Sequence, residues 1–249
     1  MSSTTRRILI FGSTGATGRL FVNELLNNIH PSIDLSCTLF VRSSSKALQN
    51  NSNWKDDSRI RLTEGTVTDS IAIEKCFVEG YASDGVALLL GHSYGEASTA
   101  RFMSECAKSV LESMKKHNVT RLIDITGVAL VDKENDSKSI SLASPWYGIM
   151  TGFLLLTKKS VLIDHELKTK LIEEAAKEWK ELKYTIVRPS LLTNTGKSKG
   201  KYKVTAGISN ESTASISRED VAEFMAKEIF ENKWTRSKPV ISSNGWLWV

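Results

Sequence analysis

The chain has 249 residues, 41% of them hydrophobic and 24% charged, a balance ordinary for a soluble globular protein and a length that leaves little room for a second full domain. Lys and Arg number 33 and Asp and Glu 28, a formal charge of +5. That mild excess permits an anionic ligand without calling for nucleic acid.

In chain order, Met1 to Arg7 is polar and short, and the apolar run after it, Ile8 to Phe11, is too brief for a signal-peptide core. That run predicts a buried strand. A Gly-rich turn follows, then a helix from about Thr17 to Ile29 with Phe21, Leu25 and Ile29 on one face, closed by Pro31. Ser36 to Val41 predicts a second strand, Arg59 to Leu62 a weaker third, and Val86 to Leu90 a fully apolar fourth. Thr99 to Lys116 predicts a helix ending at Asn118 as a left-handed cap. Arg121 to Ile125 predicts the fifth strand, Lys168 to Leu182 a helix, and Tyr184 to Val187 the sixth strand, which ends at Pro189. Arg218 to Phe230 predicts a helix with Ser217 as its N-cap and Asp220 three residues on. Val240 and Ile241 predict a last strand. The polar stretches 43–58 and 193–215 read as surface loops.

Short apolar strands alternating with helices predict a parallel sheet covered on both faces, with ligands beyond the carboxyl ends of its strands. Cys37, Cys76 and Cys106 are far apart and read as core thiols of a reducing compartment. His30, His92, His117 and His165 have no metal-ligand spacing, so no metal is expected. The longest apolar stretch, Ile149 to Leu156, is followed by Lys158 and Lys159 and falls short of the ~20 residues that span a bilayer. A cytoplasmic chain with no membrane span follows as the expectation.

Between the first strand and first helix lies Gly12-Ser-Thr14-Gly15-Ala16-Thr17-Gly18. Gly12 makes the tight turn off the strand. Gly15 lets the backbone approach a diphosphate, and Gly18 lets helix and strand pack closely. The helix N-terminus then offers free N–H groups and its positive dipole end to phosphates. This is the arrangement of a Rossmann-type doubly wound sheet, expected here as a single dinucleotide-binding domain over residues 1–249. After the second strand, where an acid would bind ribose hydroxyls, the chain has Arg42-Ser43-Ser44-Ser-Lys46. The Arg42 fork suits a 2′-phosphate, with Ser43, Ser44, Lys46 and Arg19 as further donors, so NADP(H) is expected over NAD(H). The plainer alternative is that Arg42 is a solvated loop residue.

The chain resembles the atypical short-chain dehydrogenase/reductases, the NmrA-like or NAD(P)H-binding group, over nearly its whole length. The resemblance rests on GSTGATG at 12–18, Val41-Arg42, Glu64-Gly-Thr-Val-Thr-Asp69, Leu88-Leu89-Leu90-Gly91, Asp124-Ile-Thr126-Gly127 and Tyr184-Thr-Ile-Val-Arg-Pro189. It implies that Thr66 and Val67 line the adenine pocket, with Asp69 fixing the turn. It implies that Leu90 and Gly91 pass under the cofactor, that Thr126 stands near the nicotinamide and the reacting carbonyl, and that Pro189 to Leu192 close over the ring. The family's catalytic pair is a Tyr and a Lys four residues apart on a helix, facing one side. Counting back from Thr185 puts the lysine at Lys170 and the tyrosine position at Glu166, so the Lys is kept and the Tyr replaced. Glu166 is a proton donor if burial raises its pKa, or else a surface partner of Lys170. Tyr147 offers a phenol from another segment, or is an anchoring aromatic. His92 follows the fourth strand at the ligand edge, or is a surface histidine.

Substrate-binding elements are expected at about 144–165 and 190–215. Trp146, Tyr147, Ile149, Met150 and Phe153 form either a lid for a hydrophobic substrate or ordinary core. Lys197, Lys199, Lys201 and Lys203 attract an anion or form a solvated loop. The expected function is an NADPH-dependent oxidoreductase, monomeric, acting on a small, fairly apolar carbonyl, quinone or imine. A non-catalytic dinucleotide sensor and an isomerase or cyclase on the same scaffold are the alternatives.

Overall fold

Alternate residues of each apolar run enter opposite cores, which is what a strand buried on both faces requires. The computed structural model describes residues 5–28, 33–82, 84–91, 101–130, 132, 134–136, 159–198, 201–209 and 212–244. Its elements are β1 (Thr5–Phe11), α1 (Ala16–Asn28), β2 (Asp34–Val41), α2 (Ser44–Asn50), a 3₁₀ turn (Ser52–Trp54), β3 (Ile60–Glu64), α3 (Ser70–Val78) and β4 (Gly85–Leu88). Then come α4 (Phe102–Lys116), β5 (Arg121–Ile125), α5 (Lys159–Glu178), β6 (Lys183–Pro189), β7 (Leu191–Thr193), β8 (Tyr202–Thr205), β9 (Ser215–Ser217), α6 (Arg218–Glu231) and β10 (Val240–Ser243).

The main sheet has eight strands in the order β3-β2-β1-β4-β5-β6-β10-β8. All pairings are parallel except that of β8 with β10. The strand order reverses between β1 and β4, the switch point at which such sheets open a crevice for ligands. Ile8 and Ile10 of β1 pack with Phe21 and Leu25 of α1 and Val221 and Met225 of α6. Leu9 and Phe11 enter the other core with Ile73 of α3, Val110 of α4 and Ile172 of α5. Asn118 holds the left-handed conformation expected of it, with φ 62, and the Ser217 hydroxyl accepts the Asp220 amide at the start of α6.

Two stretches expected as loops carry elements. The 43–58 stretch holds α2 and the 3₁₀ turn, and Trp54 is only 2% exposed. In the 193–215 stretch lies β8, whose four residues are all half-buried on the sheet edge. Helix α3 was not expected either; its cap is Asp69, whose carboxylate accepts the Ile71 and Ala72 amides. Helix α5 begins at Lys159 rather than Lys168. The apolar stretch 149–156 lies outside the described residues. Among the described residues no helix is long and apolar enough to cross a membrane.

Candidate functional site

Gly12 turns the chain off β1 with φ +78, and a Cβ there would stand 2.4 Å from the Leu89 carbonyl oxygen. A Cβ on Gly18 would stand 2.1 Å from the Gly12 carbonyl oxygen. The fold itself therefore requires these two glycines. Gly15 differs: it is exposed, and its Cβ would meet only the Gly12 oxygen, at 3.2 Å. Its bare backbone lies directly before α1, whose first turn carries no acidic residue. The opening amides of a helix have no partner within it, and Thr14 and Ala16 beside them are exposed, with Thr17 half-buried. An exposed glycine that packing constrains less than its two loop neighbours, next to unpartnered amides, fits a group that approaches the backbone closely, as a diphosphate does.

The neighbouring elements extend this edge. The Leu89 amide donates to the Phe11 carbonyl at 2.9 Å, so Leu90 and Gly91 leave β4 beside the glycine loop. Leu90 is buried, while Gly91 is exposed with open space where a side chain would stand. On the other side Arg42 follows β2 and is exposed. Two of the expected helpers of Arg42, Ser43 and Ser44, have partners of their own. The Ser44 amide donates to Glu64 at 2.6 Å and holds that carboxyl below its ordinary range, and the Ser43 hydroxyl accepts the Lys46 amide at 3.4 Å. Thr66 is exposed, and Val67 packs half-buried on the core under α3 and α4.

Across the switch point, β5 is followed by Thr126, whose amide donates to the Val187 carbonyl at 2.9 Å. Val128 donates in turn to Pro189 at 3.2 Å. Pro189 is buried and Leu192 half-buried. Arg188, from the same TIVRP run, makes a buried two-pronged pair with Asp136 at 2.9 and 2.6 Å and also donates to the Leu130 carbonyl at 2.6 Å. That pair ties the segment after Thr126 to β6. The Thr126 hydroxyl lies 3.2 Å from Nδ1 of His165 on α5.

Helix α5 does not bring Lys170 to this edge. Its side chain is 69% exposed, with its ammonium 3.9 Å from Glu174 one turn on, and Glu166 is exposed too. The reason is helical phase: Asp164, Lys168 and Ile172 are buried at four-residue intervals, so 166, 170 and 174 face solvent. The lysine that reaches the strand end is Lys168. Its Nζ donates to the Ile125 carbonyl at 2.7 Å and lies 2.7 Å from Asp124 Oδ1, both side chains being fully buried. Burial pushes the Asp124 carboxyl up to about 6, against the pull of the Lys168 ammonium. Asp164, four residues before Lys168, accepts the Met103 and Ser104 amides, each at 3.0 Å, and the Ser104 hydroxyl at 2.6 Å, so it holds the start of α4. His165 and Lys168 carried no role in the sequence reading. The signal that could have found them is the apolar phase Ile172, Ala176, Trp179, which continues backwards to Lys168.

Tyr147 and His92 lie outside the described residues. The described tyrosines are engaged elsewhere. Tyr81 stacks under the Arg61 guanidinium, Tyr184 is buried in the core of α4 and α5, and Tyr202 packs edge-on to Phe224. Among the described residues no three His, Cys, Asp or Glu side chains gather to hold a metal.

No functionally curated protein matches the sequence. Solved structures do match the fold. A short-chain dehydrogenase/reductase from Veillonella parvula in complex with NADP has a TM-score of 0.69 at 17% identity, over 96% of this chain and 94% of that one. A Rossmann-fold NAD(P)-binding protein from Shigella flexneri has a TM-score of 0.65 at 21% identity, over 98% and 95%. The anaerobillin reductase ChuY from Escherichia coli has a TM-score of 0.66 at 15% identity, over 99% and 100%. The sequence model of the NAD(P)H-binding family matches residues 12–232, which takes in the glycine loop, strands β2 to β6 and the Thr126 edge: the chain belongs to the NAD(P)H-binding family.

Proposed function

We propose that the protein is an NADP(H)-dependent oxidoreductase acting on a small, fairly apolar carbonyl, quinone or imine. The observation that carries this reading is Gly15, an exposed glycine that packing constrains far less than Gly12 and Gly18, beside the open amides of α1. In this reading the amides from Ala16 to Gly18 hold the diphosphate, and the exposed Arg42 grips the 2′-phosphate with its planar fork. Thr66 and Val67 flank the adenine. Leu90, Gly91, Pro189 and Leu192 form the walls around the nicotinamide, and the Thr126 hydroxyl orients the acceptor oxygen. When bound, the reduced cofactor supplies a hydride at its nicotinamide C4.

Calorimetry with NADPH and NADH tests the reading. NADPH is expected to bind more tightly, and Arg42→Ala to weaken NADPH by tenfold or more while leaving NADH unchanged, since only one of the two carries the 2′-phosphate. Loss of NADPH absorbance with a panel of quinones, aldehydes and imines then reports turnover. Absence of binding heat with both coenzymes would overturn the reading. One observation favours a second reading, a dinucleotide sensor without turnover. The position four residues before the buried lysine is Asp164, which is occupied in holding α4. Tight binding with no turnover on the panel selects it.

A further inference from the structure

Helix α5 approaches the end of β5 through two anchors, and one side chain sits between them. Asp164 is tied to the opening amides of α4. Lys168, one turn later, is tied to the Ile125 carbonyl and Asp124. His165 directly follows the first anchor, and Thr126 directly follows the carbonyl that the second one holds. Both members of the 3.2 Å contact between Thr126 Oγ1 and His165 Nδ1 are therefore placed by a neighbour that cannot move freely. Burying charged groups such as Asp124 and Lys168 costs several kcal/mol per ion before pairing offsets it. A helix needing only to pack on this sheet would do so with apolar residues, as α5 does further on with Ile172 and Ala176.

From this geometry we infer that Thr126 and His165 form a proton-delivery pair, in which His165 supplies the proton that the Thr126 hydroxyl passes to the acceptor oxygen. The inference rests on the oxidoreductase reading and names the acid that the helix lacks as a tyrosine. A threonine hydroxyl is too weak an acid to give up its proton unaided, and a histidine beside it is the side chain that most often serves as proton donor. As the acceptor carbon gains a hydride from the reduced dinucleotide, the C=O π bond breaks and its electron pair moves to oxygen. That oxygen takes the Thr126 Oγ proton, and Oγ is restored by the Nδ1 proton of the His165 imidazolium. The neutral imidazole regains a proton from water. The sum is one hydride and one proton added across C=O, with the dinucleotide oxidised by two electrons. Lys168 is a positioning residue in this scheme: it fixes the carbonyl that precedes Thr126.

The test uses the full chain with Thr126→Val, Thr126→Ser and His165→Asn. In the protein without dinucleotide, nitrogen NMR of the His165 ring is expected to move Nδ1 in Thr126→Val and leave it near its wild-type position in Thr126→Ser. With NADPH and an aldehyde, His165→Asn and Thr126→Val are expected to lower kcat by about a hundredfold or more, the ordinary scale of acid catalysis. KM for the aldehyde and NADPH affinity by calorimetry should stay within about threefold, and Thr126→Ser should restore most of kcat. A merely structural contact would not separate kcat from KM or be rescued by serine. The pair is overturned if Nδ1 is unmoved in Thr126→Val, or if His165→Asn reduces the aldehyde at the wild-type rate while binding NADPH normally. In that second case the oxidoreductase reading survives. If the wild-type chain gives no binding heat with NADPH, that reading fails first and takes the pair with it.

Discussion

Three glycines in one loop answer to different demands. A methyl group on Gly12 or Gly18 would press on backbone oxygens at 2.4 and 2.1 Å, and backbone cannot yield as a flexible side-chain end can. Gly12→Ala and Gly18→Ala should each lower unfolding free energy by about 1–3 kcal/mol or more in urea titration. Gly15→Ala should stay within about 1 kcal/mol of wild type, yet bind NADPH at least tenfold more weakly. The glycine spacing was legible in the sequence because turns and close approaches admit few other residues. Lys168 was not. Counting back from Thr185 has to cross the turn after Glu178, and an error of two residues swaps the inner face of a helix for the outer one. The same phase separates the two lysines energetically. Lys168→Met leaves the Asp124 carboxyl buried without its counter-ion and should cost about 3–5 kcal/mol. Lys170→Met, on an exposed pair, should cost less than 1 kcal/mol.

Among the elements, those with strong apolar runs were legible and those with mixed surfaces were not. β5 runs from Arg121 to Ile125 as expected, since its apolar run is bounded by polar residues. α2 has one fully buried residue, Ala47, and so shows no apolar period to read. β8 alternates lysine with Tyr202 and Val204 on a half-buried sheet edge, where solvation and pairing leave the same sequence pattern. α3 is bound to the end of α4 by Glu74, which lies 2.8 Å from Lys116 and 2.7 Å from His117. Hydrogen bonds from Lys116 and then His117 hold the Glu74 carboxyl down to about 2 from an ordinary 4.5. A carboxyl lowered in the folded state stabilises it above the ordinary value, and that contribution fades as pH falls from about 4.5 towards 2. Acid titration of folding should therefore be less steep over that window in Glu74→Gln than in the wild type. Parallel slopes would show that the contact contributes nothing.

The molecule as a whole is a mostly parallel sheet with a core on each face and its candidate site along one edge. The glycine loop, Arg42, Gly91 and Thr126 all follow the carboxyl ends of β1, β2, β4 and β5, so one fold rule gathers residues spread over more than a hundred positions. That gathering was legible from the alternation of strands and helices. The finer arrangement of the acceptor end depends on side-chain networks, such as Arg188 with Asp136 and Lys168 with Asp124, which no linear pattern encodes. The central claim is that backbone amides at the start of α1 hold a dinucleotide diphosphate. Amide NMR of the isotope-labelled chain titrated with NADPH addresses it most directly. The largest saturable shifts are expected on the amides of residues 12–18, with a second set near Arg42. Shifts confined to other parts of the chain, or none at millimolar NADPH, would contradict it.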